Sequence, residues 1–130
     1  MTKDSIAAII LTKNEEKHIA RCINSLTGIC NEIFVIDSLS TDRTCEIAEE
    51  LGAKVYKNPW RNYATQFNYG VYQCPIQSEW IWRIDADEFL EGNIGIAVKN
   101  ILSNCPTNVN GVYVRKRIDF MGKPLLHGGW

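Results

Sequence analysis

The chain has 130 residues, the length of one modest domain with a single core, and it reads as one domain over residues 1–130. Its 14 basic and 15 acidic residues give a formal net charge of -1 and form no long run of either sign, which removes the electrostatic basis for nucleic-acid binding. No apolar run approaches bilayer-spanning length, and five cysteines (Cys22, Cys30, Cys45, Cys74 and Cys105), odd in number and without close pairs, match neither a zinc site nor a disulfide framework, so a reducing cytoplasm fits them best.

Ile6 to Leu11 is uniformly apolar, as a central strand covered on both faces should be. Asn14 then offers an N-cap to a helix on which Ile19, Cys22, Ile23 and Leu26 share one face. This placement puts Glu15 and Glu16 in the first turn, where the helix dipole favours negative charge, and leaves His18 exposed. Gly28 ends the helix. Ile33 to Ile36 forms a second buried strand with Asp37 at its carboxyl end. Ser38 to Asp42 supplies capping side chains for a helix through Ile47, Ala48 and Leu51, closed by Gly52 and followed by a short strand at Lys54 to Tyr56. Such a βαβαβ series implies a parallel sheet.

Asn58-Pro59 breaks the pattern, after which Tyr63 to Tyr72 reads as a helix and Trp80 to Ile84 as a strand. Ile94 to Leu102 is a further helix, Val112 to Arg117 alternates like a strand with one polar face, and the tail from Met121 to Trp130 fits no single pattern. Neither a Gly-x-Gly-x-x-Gly segment nor a Walker A sequence is present, which disfavours dinucleotide-binding dehydrogenases and P-loop NTPases.

Asp85-Ala86-Asp87-Glu88 carries the most chemical information, because it follows a buried strand and marks the carboxyl edge of the sheet, where open α/β sheets bind ligands. Three carboxylates within four residues repel one another at neutral pH, and a divalent cation is the natural neutraliser. Oxygen-only ligands favour Mg²⁺ or Mn²⁺. A solvated acidic turn has the same composition; the position after a buried strand favours the ligand site.

Together, Ile10 to Glu16, Val35 to Ser38 with Ser40 to Thr44, and Ile84 to Glu88 resemble family 2 glycosyltransferases, in the order and spacing of their GT-A nucleotide-binding half. Gln66-Phe67-Asn68 and His127 to Trp130 are similar to elements of the branch that builds lipopolysaccharide core and related surface polysaccharides. The resemblance implies an α/β GT-A domain with a mainly parallel sheet. It implies a UDP-linked nucleotide diphosphate sugar as donor, Mg²⁺ or Mn²⁺ as cofactor, and inverting transfer to a lipopolysaccharide core or other glycan or glycolipid acceptor. Such an acceptor would bring the protein into peripheral contact with the inner face of the membrane.

Carried to matching positions, the resemblance places Thr12 and Glu15 at the base and ribose, and has Asp37 accept a hydrogen bond from the base or a ribose hydroxyl. Gln66 and Asn68 would reach the donor from their helix, Asp85 would face the ribose or a metal-bound water, and Asp87 would coordinate the cation that bridges both phosphates. Local roles compete with several of these: a dipole-satisfying acid for Glu15, a turn-forming residue for Asp37, a helix cap for Asp42, a turn-orienting side chain for Glu88, and a solvated polar face for Gln66 and Asn68. Two positions depart from the family pattern. Leu39 stands where glycine is usual, which should deny the loop positive φ or narrow the base pocket, and Phe67 stands where many relatives carry arginine, removing a charge near the diphosphate. No residue emerges as catalytic base, and relatives continue beyond the Gly-Gly-Trp element, so the chain reads as a donor-binding half expected to transfer no sugar alone. A non-catalytic nucleotide-sugar-binding remnant and a metal-dependent nucleotidyltransferase are the other readings; the absence of glycine from Thr12 to Glu15 disfavours the second.

Overall fold

A computed structural model describes residues 4–104 with their side chains and residues 116–120 and 123–127 as backbone. The elements run β1 (Ile6–Thr12), α1 (Ile19–Leu26), β2 (Glu32–Asp37), α2 (Thr44–Glu50), β3 (Lys54–Lys57), α3 (Tyr63–Gln73), β4 (Trp80–Asp85), α4 (Ile94–Ser103), β5 (Lys116–Phe120) and β6 (Lys123–His127). The first four strands form one parallel sheet in the order β3-β2-β1-β4, and β5 pairs antiparallel with β6.

All seven residues of β1 are buried, as its unbroken apolar run predicts for a strand with a neighbour on each side and helices on both faces. Ala8, Ile10, Val35 and Ile84 pack with Ile19, Cys22, Ile23 and Leu26 of α1 and Ala48 of α2. Ala7, Ile9, Leu11, Phe34 and Ile36 form a second cluster with Phe67 and Val71 of α3. Strand alternation explains the split, since odd and even positions leave opposite faces of the sheet. Each fully buried side chain such as Ile9, Ile10 or Phe34 contributes about 1.5–3 kcal/mol of transfer free energy. α3 lies close on its face: a Cβ added at Gly70 would come within 3.0 Å of Ile36 Cγ1 and 3.2 Å of Ile9 Cγ2.

Register fixes the geometry of the functional edge. Thr12 pairs with Asp37 and Leu11 with Asp85, so the carboxyl ends of β1, β2 and β4 lie side by side. The crossover from β3 through α3 to β4 reverses the direction of strand addition next to β1, which makes this edge the topological switch point where such sheets open a crevice.

The first helix differs from its sequence expectation. α1 starts at Ile19, with His18 at the N-cap position making no side-chain cap, and no acidic residue falls in its first turn. Asn14 is not the cap; it adopts φ 52, a left-handed conformation that asparagine tolerates better than most residues. Glu15 and Glu16 therefore belong to the loop before the helix, and His18 is half-buried with its Nδ1 3.1 Å from Glu15 Oε2. β5 (Lys116–Phe120) overlaps the strand expected over Val112 to Arg117 at its last two residues and runs on to Phe120, while residues 112–115 lie outside the described residues. His127 ends β6, and Gly128 to Trp130 also lie outside them.

Candidate active site

Two loops meet at the carboxyl edge and are joined by a ladder of hydrogen bonds. The backbone N–H groups of Asn14, Glu15 and Glu16 donate to Ser40 Oγ (2.8 Å), Thr44 Oγ1 (2.8 Å) and Asp42 Oδ2 (3.2 Å). In return, the N–H groups of Thr41 and Arg43 donate to Asn14 Oδ1 (2.8 Å) and Glu16 Oε2 (3.2 Å). These backbone donors would otherwise need a cap or water, and the small polar side chains of Ser40 to Thr44 supply their acceptors. Asp42 also accepts the Thr44 N–H at 2.9 Å from one residue before the N-cap position, which is Arg43 and makes no side-chain cap itself.

Asp37 sits beneath this ladder and is fully buried. Its carboxylate accepts Thr12 Oγ1 (2.6 Å), Ser40 Oγ (2.6 Å) and Ser40 N–H (2.7 Å). Burial alone would raise its pKa, but the hydrogen bonds from Ser40 and Thr12, with a further one from Cys45, outweigh burial and hold the carboxyl below its ordinary value. Cys45 feels the reverse: burial first, then the Asp37 charge, push its thiol up to about 11.

Gln66, expected to reach the donor or else to lie on a solvated face, is also fully buried. Its Nε2 donates to Ser38 Oγ (3.0 Å) and the Asn58 carbonyl (3.1 Å), and its Oε1 accepts Asn58 Nδ2 (2.9 Å). One amide thus ties α3 to the loops after β2 and β3. Asn68, two residues on, is exposed and does not line the cavity. Leu39, which replaces the usual glycine, does not deny the loop positive φ: it takes φ 59 itself. Phe67 packs in the α3-side core, and the Arg83 guanidinium carbon lies 5.8 Å from its ring centroid.

The acidic turn after β4 is held from both sides. Glu88 Oε1 accepts the Asp85 N–H at 2.8 Å, so this side chain orients the turn. Arg21 Nη2 reaches the Asp87 carbonyl at 3.4 Å and stacks over Phe89, and Ser25 Oγ accepts the Leu90 N–H at 3.0 Å. Beneath the turn, burial, and then the charges of Glu88 and Asp87, push the Cys22 thiol up to about 12, which keeps it neutral.

A cavity of about 680 Å³ opens at this edge. Thr12, Lys13, Glu15 and Ser38 line one part of it, Leu39, Pro59, Trp60 and Tyr63 make an apolar wall, and Asp85 and Asp87 stand at the acidic rim. Trp60 and Tyr63 meet edge to face at 4.8 Å. Of the residues singled out from sequence, Thr12, Glu15, Asp85 and Asp87 line the cavity, while Asp37 and Gln66 lie behind its wall. Lys13, Ser38, Pro59, Trp60 and Tyr63 were not singled out; the one available signal was the Pro-Trp pair at the break in the pattern and the tyrosine that opens the following helix.

Asp85, Asp87 and Glu88 do not converge, and among the described residues no group of three or more His, Cys, Asp or Glu side chains is placed to hold a metal. Two carboxylates on a cavity rim do fit Mg²⁺ or Mn²⁺ of the kind that is held by one or two carboxylates and completed by substrate phosphates.

The family model described as glycosyl transferase family 2 matches residues 7–127. The chain belongs to this family. Among its family 2 relatives, an uncharacterized glycosyltransferase of Rickettsia felis is 44% identical over 101 residues, covering 78% of this chain and 35% of that protein. The lipopolysaccharide core biosynthesis glycosyltransferase LpsC of Rhizobium meliloti is 36% identical over 91 residues, 66% of this chain and 33% of that protein. The chain thus spans about a third of the length of these curated relatives. Glucosyl-3-phosphoglycerate synthase from Mycobacterium tuberculosis, in complex with Mn²⁺, UDP and glucosyl-3-phosphoglycerate, matches with a TM-score of 0.53 at 24% identity, over 65% of this chain and 35% of that one. The parallel sheet and this likeness identify the family 2 domain as GT-A in fold.

Proposed function

We propose that this chain is the donor-binding part of an inverting glycosyltransferase that transfers a sugar from a UDP-linked donor to a lipopolysaccharide core or other surface glycan acceptor. The observation that carries the reading is the cavity itself, whose apolar wall and hydroxyl-lined part suit a nucleoside and whose rim presents Asp85 and Asp87. The complex of the mycobacterial relative with UDP and Mn²⁺ supports the donor and the cation, and the name of LpsC supports the acceptor class. No helix among the described residues is long and apolar enough to cross a membrane, and the contact proposed with the membrane's inner face is peripheral.

Asp87 and Asp85 would hold Mg²⁺ or Mn²⁺, which supplies Lewis acidity to the leaving diphosphate. Thr12, Glu15 and Ser38 contact the base and ribose. Asp37 acts behind them: its carboxylate already receives Thr12 and Ser40, so it positions the hydroxyls and does not meet the base. Gln66 does the same for Ser38, and Asn68, exposed and outside the cavity lining, is given no role in this reading. Lys13, whose Nζ donates to the Leu39 carbonyl at 3.0 Å, holds the two sides of the cavity together.

Incubation with labelled UDP-sugars, Mn²⁺ and lipopolysaccharide-core acceptors tests the reading. Mn²⁺-dependent binding of the labelled UDP-sugar that is lost in Asp87→Ala, without transfer by this chain alone, supports it. Transfer by this chain alone would overturn the reading as a donor-binding part, and no UDP binding in any condition would overturn the nucleotide-sugar site.

A further inference from the structure

Arg83 stands on β4 two residues before Asp85, so both side chains leave the sheet on the α3 side. Its guanidinium carbon lies 5.6 Å from the Tyr63 ring centroid and 5.8 Å from that of Phe67, two residues one helical turn apart on α3. The rings hold the guanidinium in place through their π faces. They do not satisfy it: the Nε is buried without a hydrogen-bond partner, and among the described residues no carboxylate forms an ion pair with Arg83. A buried donor on a permanent cation is costly to leave unpaired, which calls for an acceptor that arrives from outside. Arg83 does not itself line the cavity, but Tyr63, whose ring it faces, and Asp85, two residues on along β4, both do, so the guanidinium stands behind that part of the wall.

Charge decides what that acceptor is. Asp85 and Asp87 bring two negative charges to the rim, and a divalent cation formally cancels only those, leaving the charge of a bound diphosphate to be met by the protein. Lys13, the other cation here, has one of its three N–H donors on the Leu39 carbonyl and supplies a single positive charge. We propose that Arg83 is a donor-binding residue whose guanidinium fork takes the diphosphate oxygens of the nucleotide, next to the carboxylates that would hold the cation. The proposal rests on the reading of the cavity as a nucleotide diphosphate sugar site. Guanidinium matches two phosphate oxygens at once, whereas a base carbonyl or a sugar hydroxyl would leave its charge unmet.

Calorimetric titration of the wild-type chain, Arg83→Met and Arg83→Lys with UDP, uridine and inorganic pyrophosphate in Mn²⁺ tests it. The expected result is that Arg83→Met weakens UDP and pyrophosphate by roughly tenfold or more while uridine changes little, with Arg83→Lys recovering part of the loss. Equal weakening of UDP and uridine would assign Arg83 to the aromatic wall and overturn the proposal, as would unchanged UDP affinity. Arg83-dependent pyrophosphate binding without UDP binding would keep the anion site and overturn the nucleotide reading. Failure of the wild-type chain to bind either would overturn both. A thermal melt of each variant checks folding, and Arg83→Lys, which keeps the charge and the stem over the rings, carries the comparison if Arg83→Met does not fold.

Discussion

Thr12 Oγ1 donates a 2.6 Å hydrogen bond to Asp37 Oδ1 across the ends of β1 and β2, where the two residues are register partners. The bond is buried, and Asp37 is an acceptor for Ser40 as well, so one ionised side chain sets the position of both loops that border the cavity. Asp37→Asn should cost about 2–3 kcal/mol at neutral pH, because the amide offers one acceptor oxygen where the carboxylate offers two and turns an NH₂ toward existing donors. Thermal melts of the two proteins measure this.

The same carboxylate gives a pH dependence of definite sign. Its folded pKa lies below the unfolded value, since the hydrogen bonds from Ser40, Thr12 and Cys45 outweigh the opposing effect of burial. Its contribution is therefore fully present above the unfolded Asp value of ~4 and is lost as pH falls through the lower folded value. Melting temperature should drop in this acid window, and Asp37→Asn should flatten the drop. An identical acid profile in the variant would show that other carboxylates govern it.

Gln66 makes three hydrogen bonds from a fully buried position. Gln66→Ala leaves Asn58 and Ser38 without these partners and should cost about 2 kcal/mol or more. Gln66→Glu should also destabilise, since it sets a carboxylate oxygen against the Asn58 carbonyl. Both substitutions should weaken UDP binding through the loosened Ser38, although neither side chain lines the cavity. Full retention of UDP affinity in a folded Gln66→Ala variant would separate Ser38 from the donor.

Leu39 occupies the left-handed region at φ 59, which costs a residue with a Cβ about 1–2 kcal/mol, while glycine would lose about 0.5–1 kcal/mol more chain entropy on folding. Leu39→Gly should therefore stabilise the fold by roughly 0.5–1 kcal/mol. Leu39→Val should destabilise it, because β-branching makes the same conformation worse. Chemical denaturation curves with equal slopes compare the three.

Much of this architecture was legible because its signals are local. The unbroken apolar run of β1, the acid that ends each of β2 and β4, and the glycines at positions 28 and 52 follow from burial, strand ends and positive φ, each visible within a few residues. What sequence order hides is pairing at a distance. Asn14, Glu15 and Glu16 look like the start of a helix until Ser40, Asp42 and Thr44, more than twenty residues later, take their N–H groups and delay α1 to Ile19. Asp37 and Gln66 carry the composition of ligand contacts, yet their polar atoms are directed into the protein. Pro59, Trp60 and Tyr63 follow no periodicity and become a wall only when α3 is laid on the sheet.

On the proposed reading, the cavity binds UDP through a divalent cation held at its acidic rim. Titration of UDP into the chain with and without Mn²⁺, repeated with Asp87→Ala, tests it most directly. The account predicts binding in Mn²⁺ that falls at least tenfold when the metal is removed, and a variant that binds weakly whether or not Mn²⁺ is present, since loss of even an outer-shell partner of a metal commonly costs about ten- to hundredfold in affinity. Equal UDP affinity with and without Mn²⁺, unchanged by Asp87→Ala, would contradict it.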